Sequence, residues 1–350
     1  MAGRPTEEIA DEFVQDTHSL NTHELAEKYE RALSTIREWR LWARANGYIV
    51  GTGKSPNILY VDRKNTTRLS DEGVFRAMAD MTKIMEDDRP EQCELTIEIK
   101  DDLPIGIVYP GDLHMGVEGV DYETMERDFR AIGEAEGVYA IGMGDYAHNP
   151  KINMGARSSN LYRMIMPDCE AQYRAARFVL SHVERWIGLI TGCHDDWDFQ
   201  VSGNRRIEEL CEYLDTANLW HGAVIHLTLG LRTYDILARH KYKFESNLNV
   251  TNAHRNAFEQ LYPADVIAFA HKHTPAMEKR PRWGGRKDVV NVRGGSYYRW
   301  DDFGQKIGGY EGIAGIPLTI LYPNEKKVLP FYGRDLDVAL RTLKNERSRA

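Results

Sequence analysis

Five short apolar runs, each followed by a carboxylate or an imidazole, constrain this chain more than any other feature. The runs are Ile105–Tyr109, Val138–Gly142, Ile187–Ile190, Ile236–Ala238 and Val266–Phe269. Continuous apolar runs of this length fit strands buried on both faces. Helical stretches lie between them, so the expected class is α/β, with layered sheets and helices outside. Two later runs, Val289–Val292 and Leu318–Leu321, suit a second sheet.

Each of the five runs leads into residues competent to bind metal. The first reaches Gly111-Asp112-Leu113-His114, and the second reaches Gly144-Asp145. The third reaches Gly192-Cys193-His194-Asp195, the fourth His240, and the fifth His271-Lys272-His273. The carboxyl ends of strands are where an α/β sheet opens its site. In Asp-x-His and His-x-His, residues i and i+2 share one face of an extended segment and can point at one centre. Carboxylates mixed with imidazoles suit Mn, Fe or Zn better than Ca or Mg. A carboxylate can bridge two ions, and Asp145 is the natural bridge. Two metals about 3.5–4 Å apart clamp a phosphate and acidify a bridging water. A separate imidazole is then wanted at the leaving oxygen, and His194 is placed for that general-acid role.

This ordered set resembles the calcineurin-like metallophosphoesterase superfamily, over roughly residues 103–335. The resemblance implies a four-layer α-β-β-α sandwich. It implies that Asp112, His114, Asp145 and His273 hold one metal, and that Asp145, His240, His271 and the residue at 193 hold the other. His194 would be the catalytic imidazole, with no bond to metal. The chain departs from the family in carrying Cys193 where Asn is usual and Ala270 where Gly is usual. A thiolate is a soft ligand that prefers Zn or Fe, so the second metal could differ from the Mn expected elsewhere. His221-Gly222 is a rival to His240, because the family often has Gly after this His. His148, three residues after Asp145, is similar to the double-strand-break-repair nucleases of the superfamily. There such a His orients the catalytic imidazole; Asp195 competes for that role here.

Residues 1–50 read as a small helical domain. Pro5-Thr6 opens one helix, Asn21 with Glu24 opens a second as a capping box, and Ser34 caps a third that ends at Gly47. Arg37, Arg40 and Arg44 share one face of the third helix, and Ile36, Trp39 and Ala43 another. The stretch resembles a helix-turn-helix of the resolvase and transposase type, which implies DNA contact by those arginines. The alternative is a protein-docking module. Residues 51–100 are expected to form a linker with a turn-rich start, Gly51–Pro56, one helix over 70–87 and one strand over 94–99. Residues 101–335 make the phosphoesterase domain, and 336–350 a helical tail.

The formal net charge of −8 argues against a polyanion binder held by overall charge alone. Cys93, Cys169, Cys193 and Cys211 form no CxxC pair, so a zinc knuckle is not indicated. No signal pattern opens the chain, and no run approaches the roughly 18 apolar residues of a membrane span. A cytoplasmic protein with free thiols is expected, with a homodimer possible. Tyr297-Tyr298-Arg299-Trp300 could stack on bases or pack a sheet edge. The expected function is a two-metal phosphodiesterase, a nuclease on DNA. The alternatives are a small-molecule phosphatase or cyclic-nucleotide phosphodiesterase, and an inactive DNA-bound scaffold.

Overall fold

The computed structural model describes residues 5–48, 50, 71–87, 93–149, 164–246, 248–281, 288–299 and 314–350. The Gly51–Pro56 connector and Trp300 lie outside them. The chain divides into two compact units, Met1–Asp88 and Arg89–Ala350.

In the first unit, α1 (Glu7–Asp16), α2 (Thr22–Lys28) and α3 (Leu33–Ala45) enclose Phe13, Leu25, Ile36 and Trp39. Asn21 caps α2, accepting from the His23 and Glu24 N–H groups while its own N–H donates to the Glu24 carboxylate. The expected cap at Ser34 is corrected. Arg31 N–H closes onto the Ala26 carbonyl, so the turn ends early. Ala32 takes the extended cap position, and Ser34 falls inside α3. The basic face is corrected too. Arg37 and Arg44 are exposed, but Arg40 is buried and donates from Nη2 to the Leu20 carbonyl at 3.1 Å. At 100° per residue, Arg40 stands only 40° from buried Ile36, so it borders the core stripe. Helix α4 (Asp71–Asp87) completes the described part of this unit.

The second unit holds two six-stranded sheets. One runs β12-β11-β2-β3-β4-β5 and contains β2 (Ile105–Val108), β3 (Val138–Gly142), β4 (Trp186–Leu189), β5 (Ala217–Asn218), β11 (Leu318–Leu321) and β12 (Val328–Phe331). The other runs β1-β6-β7-β8-β10-β9 and contains β1 (Cys93–Ile99), β6 (Gly222–Leu229), β7 (Arg232–Arg239), β8 (Val266–Phe269), β9 (Ala276–Pro281) and β10 (Asp288–Arg293). The two late runs therefore do not share a sheet. Leu318–Leu321 pairs antiparallel with β2, whereas Val290 lies opposite Val266 in a parallel pair. Neighbours in sequence need not be neighbours in a sheet, and the run pattern carries no strand order.

Period-two alternation serves two cores at once. In β6, Ala223 and Ile225 face the core between the sheets, which also takes Ile105, Ile107, Ile141 and Val290. Val224 faces the other way, onto Ala253 and Ala257 of α9 (Asn252–Gln260). On the far side of the first sheet, Val138, Ala140, Leu189 and Ile320 pack against a helical layer. That layer is α5 (Tyr122–Glu134), α6 (Cys169–Leu180), α8 (Arg206–Leu214) and α10 (Leu336–Arg349). Each fully buried Ile, Leu or Phe contributes about 1.5–3 kcal/mol relative to exposure. The result is helix, sheet, sheet, helix. Among the described residues no helix is long and apolar enough to cross a membrane.

Candidate metal centre

The carboxyl ends of β2, β3, β4, β7 and β8 bring the expected residues together. Four sets of donor atoms each lie within 4.8 Å of one another: Asp112 with His114 and His273; Asp112 with Asp145 and His240; Cys193 with His240 and His271; and His114 with His148 and His194. His240, not His221, joins them; the His221 ring is exposed and lies 3.8 Å from Asp196.

The backbone here is strained in a concerted way. Asp112, His114, Asp145, His271 and His273 all have φ between 49° and 71°. Left-handed backbone is uncommon outside glycine and clusters at functional sites. These five positions carry side chains that converge on the centre, where glycine would offer no donor atom. Glycine is used where a side chain would collide. A Cβ on Gly192 would stand 2.1 Å from Asp145 Oδ1.

Hydrogen bonds over-determine the strained loops. Asp112 N–H donates to the Gly144 carbonyl, and His114 N–H to that of Asp145. Asp145 Oδ1 accepts from His194 N–H at 2.7 Å, leaving Oδ2 3.2 Å from His240 Nε2. Asp112 Oδ2 accepts from His271 N–H at 2.9 Å. His240 Nδ1–H donates to the Met143 carbonyl at 2.8 Å, which leaves Nε2 facing the centre. His114 Nε2 lies 2.8 Å from His273 Nε2.

Burial and close contact between charged groups set the electrostatics of the centre. Burial pushes the Asp112 carboxyl up to about 8, with His240 opposing and Asp145 adding to the rise. Burial also pushes the His271 imidazole down to about 3, helped by His240. Burial, then His194 and His273, hold His114 well below its usual value. Burial works against the ionised forms of His240 and Asp145, yet their mutual contact keeps His240 well above and Asp145 below the usual values. Among the described residues, buried Asp112 Oδ1 has no hydrogen-bond partner. An orphaned carboxylate oxygen among imidazoles, carboxylates and a thiol fits divalent transition metals. A dication there would reverse the burial-driven shifts.

His194 stands at the start of α7 (Cys193–Ser202). Its Nδ1–H donates to the His148 backbone carbonyl at 2.6 Å, so Nε2 is the nitrogen left to act. The His148 main chain thus fixes the tautomer, and the His148 ring lies against both His194, with ring centroids 4.8 Å apart, and His114, Nδ1 to Nδ1 at 3.2 Å. Asp195 binds backbone and a tyrosine. It is buried and accepts from the N–H groups of Asp145 and Gly192 and from the Tyr173 hydroxyl. Burial and the neighbouring Asp145 charge push its carboxyl up to about 7.

Three residues at the site escape a reading of the sequence alone. Trp197 lies against His194 with ring centroids 3.8 Å apart and the planes tilted by 36°. Asn149 Nδ2–H donates to the His194 carbonyl at 3.0 Å. Glu245 Oε2 lies 3.8 Å from His271 Nε2. Trp197 carries a usable signal, one helical turn after His194. The other two have none. Tyr298, expected either to stack on bases or to pack, lies 6.0–6.3 Å from the rings of His114, His148 and His273.

Fold and site together define an α/β sandwich with a histidine- and aspartate-rich centre able to hold metal ions at its strand ends. No protein-family model matches the chain, and no curated protein matches it in sequence. Among solved structures it is similar to a conserved uncharacterized protein of Streptococcus pneumoniae described as a predicted phosphoesterase, at 14% identity and TM-score 0.30, covering 65% of this chain and 98% of that one. It is similar to a zinc complex of wild-type Vps29 from Entamoeba histolytica, at 12% identity and TM-score 0.34, covering 65% and 99%. A Thermotoga maritima protein solved by NMR matches at 14% identity and TM-score 0.29, covering 65% and 99%. At these values the likenesses transfer no activity to this chain.

Proposed function

We propose that this chain is a two-metal phosphodiesterase acting on nucleic acid, DNA foremost. The carrying observation is the continuity of the donor groups. Asp112 and His240 each belong to two groups, and Asp145 joins them in a third. One metal would be held by Asp112, His114, Asp145 and His273, the other by Asp145, Cys193, His240 and His271. Bound metals would grip phosphate oxygens and supply an acidified water between them. The chain's own residues do the rest. Asp145 is held by His194 N–H and faces His240, so one carboxylate can serve both centres. His194, its Nδ1–H committed to a carbonyl, can deliver a proton from Nε2 to a leaving oxygen. Trp197 and Asn149 hold that ring and its backbone in place.

In this reading the first unit delivers DNA through Arg37 and Arg44. A second reading, a small phosphomonoester or cyclic-nucleotide enzyme with a protein-docking first unit, is favoured by one observation. Burial of Arg40 reduces the basic face of α3. A panel with added Mn separates them: single-stranded DNA, duplex DNA, RNA, cyclic nucleotides and phosphomonoesters. Cleavage of DNA diesters is expected. Turnover confined to monoesters or cyclic nucleotides would move the conclusion to the second reading. No turnover of any substrate would leave an inactive scaffold.

A further inference from the structure

We propose that Glu245, anchored by Arg293, is a positioning residue that sets His271 for the second metal; this rests on the two-metal reading above. Beyond β7 and His240 the chain turns back, and Phe244 takes φ +66° to do so. A bulky residue there is a backbone outlier. The turn returns Glu245 to the site, with its side chain 9% exposed. Oε2 lies 3.8 Å from His271 Nε2, and Oε1 accepts from Arg293 Nη1 at 3.2 Å.

Arg293 is fixed by the sheet. It ends β10 opposite Phe269, and its side chain is 1% exposed. The same Nη1 donates to the Ala270 carbonyl at 3.3 Å. The pair therefore holds the backbone just before His271 and stations a carboxylate 3.8 Å from its imidazole, within reach of a hydrogen bond after a small shift of the ring. His271 needs such a grip, because its φ is 71° and only a constrained neighbourhood sustains that conformation.

Packing alone does not explain the arrangement. A buried ion pair contributes little net stability, and apolar residues of similar volume usually do as well or better. A carboxylate behind a ligand imidazole has another use. It orients the ring, and its loss typically lowers metal affinity 10–100-fold.

The test is calorimetric titration of the metal-free full chain with Zn(II) alone. The wild type should show two binding steps. In E245Q one step should weaken by about 10–100-fold while the other keeps its affinity. E245Q also leaves Arg293 buried without its carboxylate, so a second variant, E245Q/R293M, removes that cation. If Glu245 acts on His271, the double variant stays weak at the same step. Return of the double variant to wild-type affinity would overturn the proposal, because Glu245 would then only neutralise Arg293. Unchanged affinity in E245Q would overturn it as well. Should E245Q fail to fold, judged by circular dichroism, the double variant carries the test. A wild-type chain that takes up a single ion would overturn both the proposal and the two-metal reading. Two wild-type steps with no loss in E245Q would overturn the proposal alone.

Discussion

The two donor groups are built on one plan and differ in chemistry. Asp112, His114 and His273 are oxygen and nitrogen donors, with another imidazole, His148, against His114. Cys193, His240 and His271 include sulfur, with a carboxylate, Glu245, near His271. Both groups gather beyond strand ends, the first wholly on left-handed backbone and the second only at His271. Placement is thus a property of the fold, and donor identity a property of single residues that the fold tolerates. The first group suits Mn; the second is softer and suits Zn or Fe.

Removing what the two groups share should have the largest effect. Asp145→Ala deletes the only carboxylate proposed to serve both. Metal analysis should find at least one ion missing. Hydrolysis of a bis-aryl phosphodiester should fall by about 10³-fold or more, several kcal/mol of charge stabilisation. A variant with two ions and full rate would erase the comparison.

His194→Asn should leave both groups filled and lower the rate by about 10²–10⁴. The loss should shrink for substrates whose leaving groups are weak bases. Equal losses across a leaving-group series would mean that His194 acts on the phosphoryl oxygens or on positioning.

Cys193→Asn should make the second group resemble the first. The activating metal should move from Zn or Fe towards Mn, and a sulfur–metal signal in sulfur-edge absorption of the Zn-loaded wild type should vanish. Lack of that signal in the wild type would make Cys193 a packed thiol. The substitution would then raise activity at limiting Mn without changing preference.

Neither group should respond to Arg37→Ala with Arg44→Ala. Small-diester hydrolysis should stay the same, while the salt slope of DNA binding falls by about 0.9 for each phosphate no longer neutralised. Arg40→Ala should differ in kind. It leaves the Leu20 carbonyl without its donor and should destabilise the first unit by about 1–3 kcal/mol. Unchanged DNA affinity and slope in the Arg37 and Arg44 variant would favour a protein-docking unit.

The candidate ligands are legible in the sequence because each stands just after a run whose apolar character marks a buried strand. Glu245 is not, because a loop turned by Phe244 carries it back to the centre. Arg293 ends an apolar strand too, yet nothing local tells a ligand from a brace. Spacing alone puts Arg40 on the wrong face, because a helix has no inside until it is packed. The sheet of Leu318–Leu321 is hidden for a similar reason: alternation marks a strand but not its partner. His148 shows the limit most clearly. Its spacing from Asp145 singles it out, but does not tell that its carbonyl takes the His194 Nδ1–H while its ring lies alongside.

The shared centre itself is tested most directly by anomalous diffraction from crystals of the full chain soaked in Mn(II), then in Zn(II). Two peaks should appear. One should lie among Asp112, His114 and His273, and the other among Cys193, His240 and His271, with the Asp145 carboxylate between them. A single peak, or two peaks with Asp145 outside ligand distance of either, would contradict the account.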